Sequence, residues 1–115
     1  MAIKRHDTNQ RMSQAVETDS TVHLAGLVAG DPVADPKAQA QQILAKVDDY
    51  LARCGSSKSN ILSAQIWLSN MAHFSAVNEV WDAWIDPANP PARACVESKL
   101  ASPLYMVEIM ITAAK

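Results

Sequence analysis

From Pro36 to Cys54 apolar side chains return every three or four positions. Ile43, Leu44, Val47, Tyr50, Leu51 and Cys54 fall on one stripe, which predicts an amphipathic helix. Asp35 as N-cap and Pro36 at the first helical position mark its start, and Gly55 stands where a helix commonly stops. A second helix is predicted over about residues 72–85, with Phe74, Val77, Trp81, Trp84 and Ile85 as its apolar face. Asn78 lies beside Phe74 and Trp81 on that face. An amide there needs a hydrogen-bonding partner, such as a neighbouring loop backbone.

Elsewhere the period shortens to two. Ile3 to His6 reads as a short edge strand, and Met12–Glu17 with Thr21–Ala29 as a hairpin around Thr18-Asp19-Ser20. Gly26 inside the second run marks a bulge or a close backbone approach. Ile61 to Leu68 is a third long strand. Asp86 to Pro91 stops the second helix and leads to two last β-type runs, residues 93–97 and 104–112. The turn residues Ala101-Ser102-Pro103 between them predict a second hairpin. On the first of these runs Arg93, Cys95 and Glu97 share one face, with Ala94 and Val96 opposite. On the second, Tyr105, Val107, Ile109 and Ile111 share one face and Met106, Glu108, Met110 and Thr112 the other. Read as hairpin, helix, strand, helix, hairpin, the chain is α+β, one sheet with two helices on one face. The Met106/Glu108/Met110 face then lacks cover, which points to another subunit.

Composition narrows the function. At 115 residues, 49% of them hydrophobic, residues 1–115 form one globular domain. A net charge of −2 with interleaved signs argues against a nucleic-acid surface. No apolar stretch approaches the roughly 20 residues that cross a bilayer, and the charged start does not resemble a signal peptide, so a cytoplasmic location is expected. Cys54 and Cys95 fit no zinc spacing, and His6, His23 and His73 are scattered. No metal is expected from this pattern, and Cys54, on the helical stripe, reads as a small buried hydrophobe.

The candidate chemistry sits in the last quarter. Glu108 is the single charge in a strand that is apolar on both sides, and such a carboxylate must be paired, hydrogen-bonded or protonated. In the predicted hairpin, Arg93 and Cys95 lie on the neighbouring strand within cross-strand reach of it. From the residues alone, Arg93 either forms a structural salt bridge with Glu97 or Glu108 or binds a ligand carboxylate through its planar fork. Cys95 reads as packing, with no histidine placed to activate it.

The motif Pro91-Ala92-Arg93-Ala94-Cys95-Val96-Glu97, followed by Val107-Glu108-Ile109, resembles the C-terminal signature of the Rid family (reactive intermediate deaminase, YjgF-like). Met12-Ser13-Gln14-Ala15-Val16, Leu24-Ala25-Gly26 and Asn78-Glu79-Val80-Trp81-Asp82-Ala83-Trp84 sit where that family has its other motifs, and the short YoaB-like branch is the most similar. The resemblance implies a chorismate-mutase-like fold, a homotrimer and a pocket at each subunit interface. It implies that Arg93 binds the carboxylate of a 2-imino or 2-enamino acid while Glu108 orients the attacking water, giving a 2-keto acid and ammonia without metal or organic cofactor. Cys95, Asn78, Met12 and Ala25 would line the pocket. Deaminating members usually carry Tyr and Ser at the last two positions, so Met12 and Ala25 make this pocket less polar. Three classes follow: a deaminase, a binding or regulatory module using the same arginine, and a ribonuclease. The last lacks a basic groove and a His pair.

Overall fold

A computed structural model describes residues 2–115. In chain order the elements are β1 (Lys4–Thr8), β2 (Ser13–Glu17), β3 (Thr21–Leu24), α1 (Pro36–Arg53), β4 (Ile61–Leu68), α2 (Phe74–Trp84), β5 (Ala92–Glu97) and β6 (Val107–Ala114). They build one six-stranded sheet in the order β1-β2-β3-β6-β4-β5, in which only β4 and β5 pair in parallel. Both helices cover the same face of the sheet.

The helices begin and end where local chemistry dictates. The Asp35 carboxylate accepts the Ala38 N–H at 2.8 Å, and Pro36 fills the first turn, where its missing N–H costs nothing. Such a cap is worth about 1 kcal/mol. Gly55 follows α1 at φ +76°, a conformation that favours glycine. The second helix is entered through a 3-10 turn, Met71–His73, capped by Asn70 on the Ala72 N–H.

Alternation decides what each strand buries. Val107, Ile109, Ile111 and Ala113 of β6 are fully buried, as are Ile66 and Leu68 of β4 and Val22 of β3. Against them pack Ile43, Leu44, Val47 and Leu51 of α1 and Val77 and Trp81 of α2. The predicted stripe of α1 is therefore the core, and it extends one turn further back to Gln39, whose side chain is fully buried. Its amide nitrogen donates to the carbonyls of Ala34 at 2.9 Å and Leu104 at 3.0 Å, with the Pro32 carbonyl at 3.2 Å sharing one of the two hydrogens, and its oxygen accepts the Met106 N–H at 2.9 Å. One buried amide thus ties the loop before α1 to the loop before β6.

The predicted C-terminal hairpin is not formed. The β5 strand runs parallel to β4 at the sheet edge, reached through α2, whereas β6 runs antiparallel between β3 and β4. The turn expected at Ala101-Ser102-Pro103 lies within a loop, residues 98–106, that carries the chain past the end of β4, and residues 104–106, expected in the last strand, belong to that loop. Non-local pairing with two strands gives β6 burial that an edge position beside β5 would not. Three smaller differences follow from the same packing. The run predicted over Thr21–Ala29 leaves the ladder after Leu24 and touches β6 again only through Leu27 and Ile109. The edge strand β1 reaches Thr8 rather than His6. Met106 precedes β6 and packs, half-buried, against the core, so the uncovered face begins at Glu108.

Candidate functional site

The alternation predicted for the last two strands is observed, and it separates the residues that the hairpin would have joined. Arg93, Cys95 and Glu97 lie beside Ala64, Ile66 and Leu68 of β4, which face the helices. Glu108 lies beside Trp67, on the opposite, uncovered face. Between β5 and β6 stands β4, so the two strands are about 10 Å apart. Arg93 and Glu108 of one chain therefore cannot hold the same small ligand, which corrects the expected cross-strand contact.

Two half-sites result. In the first, the Arg93 guanidinium carbon sits 5.4 Å from the centre of the Trp81 ring on α2, a cation–π contact. Asn78 stands one turn earlier on α2, half-buried. Its amide makes no hydrogen bond among the described residues, so the expected bond to a loop backbone is not formed. Cys95, also half-buried, packs against the core margin. Burial pushes its thiol above the usual range while the Arg93 charge pulls the other way, so it is poorly suited to act as a thiolate. Glu97 accepts the Met71 N–H at 2.9 Å and leaves Arg93 without a carboxylate. The structural salt bridge from Arg93 to Glu97 or Glu108 is absent among the described residues.

The second half-site surrounds Glu108. Desolvation raises its pKa above the usual carboxylate value, and no hydrogen bond or counter-charge reaches it among the described residues. Gly26 explains how the carboxylate fits: a Cβ at that position would collide with it. The close approach expected at Gly26 is thus a contact with the candidate catalytic group. Ala25 precedes it, half-buried, its N–H bonded to the Gln14 carbonyl at 2.9 Å. Met12 is exposed and lines, with Gly26 and Gln14, a cleft of about 720 Å³ closed on its far side by Lys46, Tyr50 and Arg53 of α1. Neither Arg93 nor Glu108 lines that cleft.

Sequence reasoning passed over one residue that shapes its wall. Asp7 adopts φ +51° inside β1, which an aspartate tolerates better than most side chains. Its carboxylate accepts the Tyr50 hydroxyl at 2.6 Å and a two-point contact from Arg53 at 3.2 Å. Those bonds, the one from Arg53 foremost, lower its pKa. An aspartate in an edge strand carries no periodic signal, so only the fold exposes this role.

The chain matches the family model described as Endoribonuclease L-PSP over residues 2–115. It is 42% identical over 112 residues to a RutC family protein of Haemophilus ducreyi, covering 97% of this chain and 96% of that relative. It is 40% identical over 114 residues to the RutC family protein YoaB of Escherichia coli, covering 99% of both. A crystal structure of a YjgF family member from Neisseria meningitidis superposes with a TM-score of 0.96 at 42% identity, covering 100% of this chain and 96% of that one.

Proposed function

This chain belongs to the Endoribonuclease L-PSP family, to which its YjgF and Rid relatives also point, and from that premise we propose that it hydrolyses reactive 2-imino and 2-enamino acids to 2-keto acids and ammonia. The observation that carries the reading is an arginine held over Trp81 and a desolvated carboxylate at Glu108, each without an ion-pair partner among the described residues. Glu17, Asp7 and Glu79 each meet a cationic or titratable partner, whereas Arg93 and Glu108 meet none among the described residues. An arginine held over an aromatic ring at a sheet edge is oriented to fork a carboxylate. A desolvated carboxylate is suited to take a proton from water.

The two groups of one chain face away from each other, so the working site joins Arg93, Asn78 and Cys95 of one copy to Glu108, Ala25 and Met12 of the next. A homotrimer with a pocket at each interface meets this need and covers the bare sheet face. In the site, Arg93 binds the substrate carboxylate. Glu108 accepts a proton as water adds to the imine carbon, and returns it to nitrogen so that ammonia leaves and the carbonyl forms. The ordinary hydrolysis in water is already feasible, so positioning and one proton transfer suffice. Met12 and Ala25 make the wall apolar and favour imines with aliphatic or aromatic side chains. The RNA-cleaving activity in the family description has less support here. The charge is −2, and the three histidines sit apart, on β1, on β3 and before α2.

The test uses an amino-acid oxidase to generate imines and times their decay. Arg93→Ala abolishes acceleration and keto-acid binding, and Arg93→Lys rescues poorly. Glu108→Gln still binds a keto acid but loses turnover on the order of 100-fold. Mixing the inactive Arg93→Ala and Glu108→Gln chains restores about a quarter of the wild-type rate, because random assembly leaves that share of interfaces intact. Full activity in Arg93→Ala would place the chemistry elsewhere. Keto-acid binding without turnover in wild type would make the protein a sensor.

A further inference from the structure

Away from both half-sites, the fold brings together three residues that are far apart in sequence. His6 of β1, Glu17 of β2 and Cys54 at the end of α1 place one ligand atom each within 4.8 Å of one another. We propose that His6 Nε2, one Glu17 carboxylate oxygen and Cys54 Sγ form a binding site for a borderline transition-metal ion, zinc being the best fit. No metal was expected from the sequence because no two of these residues share a short spacing.

The donor set argues for that class of ion. Imidazole, carboxylate and thiol together suit zinc and cobalt, whereas calcium and magnesium take oxygen ligands alone. The site is sequestered without being sealed: the His6 and Glu17 side chains are 11% and 12% exposed, and Cys54 is 2% exposed. Each ligand has a rigid support. His6 and Glu17 lie on paired strands, and Cys54 caps α1 through its N–H to Tyr50 and Leu51.

The two carboxylate oxygens of Glu17 have separate partners, which leaves one for the ion. Oε2 meets His6 Nε2 at 2.5 Å, while Oε1 accepts the Lys115 ammonium at 2.7 Å. An ion entering between His6 and Oε2 replaces that one hydrogen bond and leaves Lys115 as an outer partner of the carboxylate, an arrangement common around bound metals. Ligand atoms around a tetrahedral zinc are about 3.5 Å apart. The His6–Glu17 contact, 2.5 Å, must therefore open by about 1 Å, while the thiol, which starts within 4.8 Å of both partners, adjusts by side-chain rotation. Coordination exchanges the Cys54 S–H for a metal–sulfur bond and releases the proton to solvent. The thiolate and the carboxylate balance a divalent ion, and the Lys115 ammonium adds one positive charge at the rim of the site. Three protein ligands leave a fourth position for water. Bound metal would pin the edge strand β1 to the end of α1.

The test titrates cobalt, then zinc, into the chelator-treated, fully reduced chain. Cobalt should give the intense visible bands of four-coordination and a near-ultraviolet thiolate-to-metal band, and one equivalent of zinc should bleach both. Cys54→Ser should remove the thiolate band, Cys95→Ser should leave it, and His6→Gln should weaken affinity at least about tenfold. Zinc should raise the melting temperature of wild type and not of His6→Gln, a readout that survives if Cys54→Ser folds poorly. No thiolate band at millimolar cobalt, a band that follows Cys95 instead of Cys54, or an equal zinc shift in His6→Gln would each overturn the site. None of these outcomes depends on imine turnover.

Discussion

At the scale of single residues, Glu108 carries a cost that the rest of the chain tolerates. Burial raises its pKa above the ordinary 4.5, so the folded chain holds the proton more tightly than the unfolded one. The penalty for ionisation is present above the folded value and vanishes as pH falls below 4.5, where both states are protonated. Glu108→Gln should therefore be more stable than wild type at neutral pH, and the gain should shrink on acidification. Denaturant midpoints measured at pH 7 and about pH 4, at one protomer concentration, check this. An equal or lower midpoint at neutral pH would mean that Glu108 is already compensated. Much at this scale was legible beforehand. A lone carboxylate in an apolar strand and a glycine inside a β-run both flagged contacts that the fold places together. The grouping of His6, Glu17 and Cys54 was not legible, because neither spacing nor periodicity connects a strand residue to a helix end so far along the chain.

Among the elements, the helices and the faces of the strands could be read directly, since period and capping are local properties. Strand partnership could not. Ser102 and Pro103 supply turn chemistry, and consecutive strands are neighbours often enough to suggest a hairpin. The order is decided instead by burial, because β6 is apolar enough to need a neighbour on each side. Gln39 holds that arrangement at its entry. It lies one turn before Ile43 on the buried stripe, so its position was available from the pattern even though its polarity hid it. Gln39→Leu should keep the volume but leave the carbonyls of Pro32, Ala34 and Leu104 and the Met106 N–H without their partner. The expected loss is on the order of 3 kcal/mol. Urea unfolding measures it, and amide exchange at Met106 should quicken. An unchanged midpoint would show that water or loop rearrangement replaces the amide.

As a whole, the molecule is a slab of 42 × 38 × 19 Å, and the short dimension is one helix layer on one sheet layer. Met110 stands 42% exposed on the bare face, and Val96, 45% exposed, lies on the same face at the sheet edge, level with Trp67 and Glu108. Met110→Lys should therefore weaken self-association and turn an oligomer towards monomer or aggregate, as light scattering at micromolar concentration would show. A wild-type monomer under those conditions would remove the premise of a shared site. The strand order has a consequence in time as well as in space. Residues emerge from the ribosome in sequence, yet the strand that joins the two halves of the sheet is the last to appear. Until residues 107–114 are available, β1–β3 and the β4–α2–β5 unit have no strand to connect them, and α1 has half a core to pack on. The nascent chain must carry the β1–β3 half, its apolar face exposed, while residues 61–97 are made, and then both halves until β6 follows, so its greatest exposure to misassembly comes just before the sheet is joined.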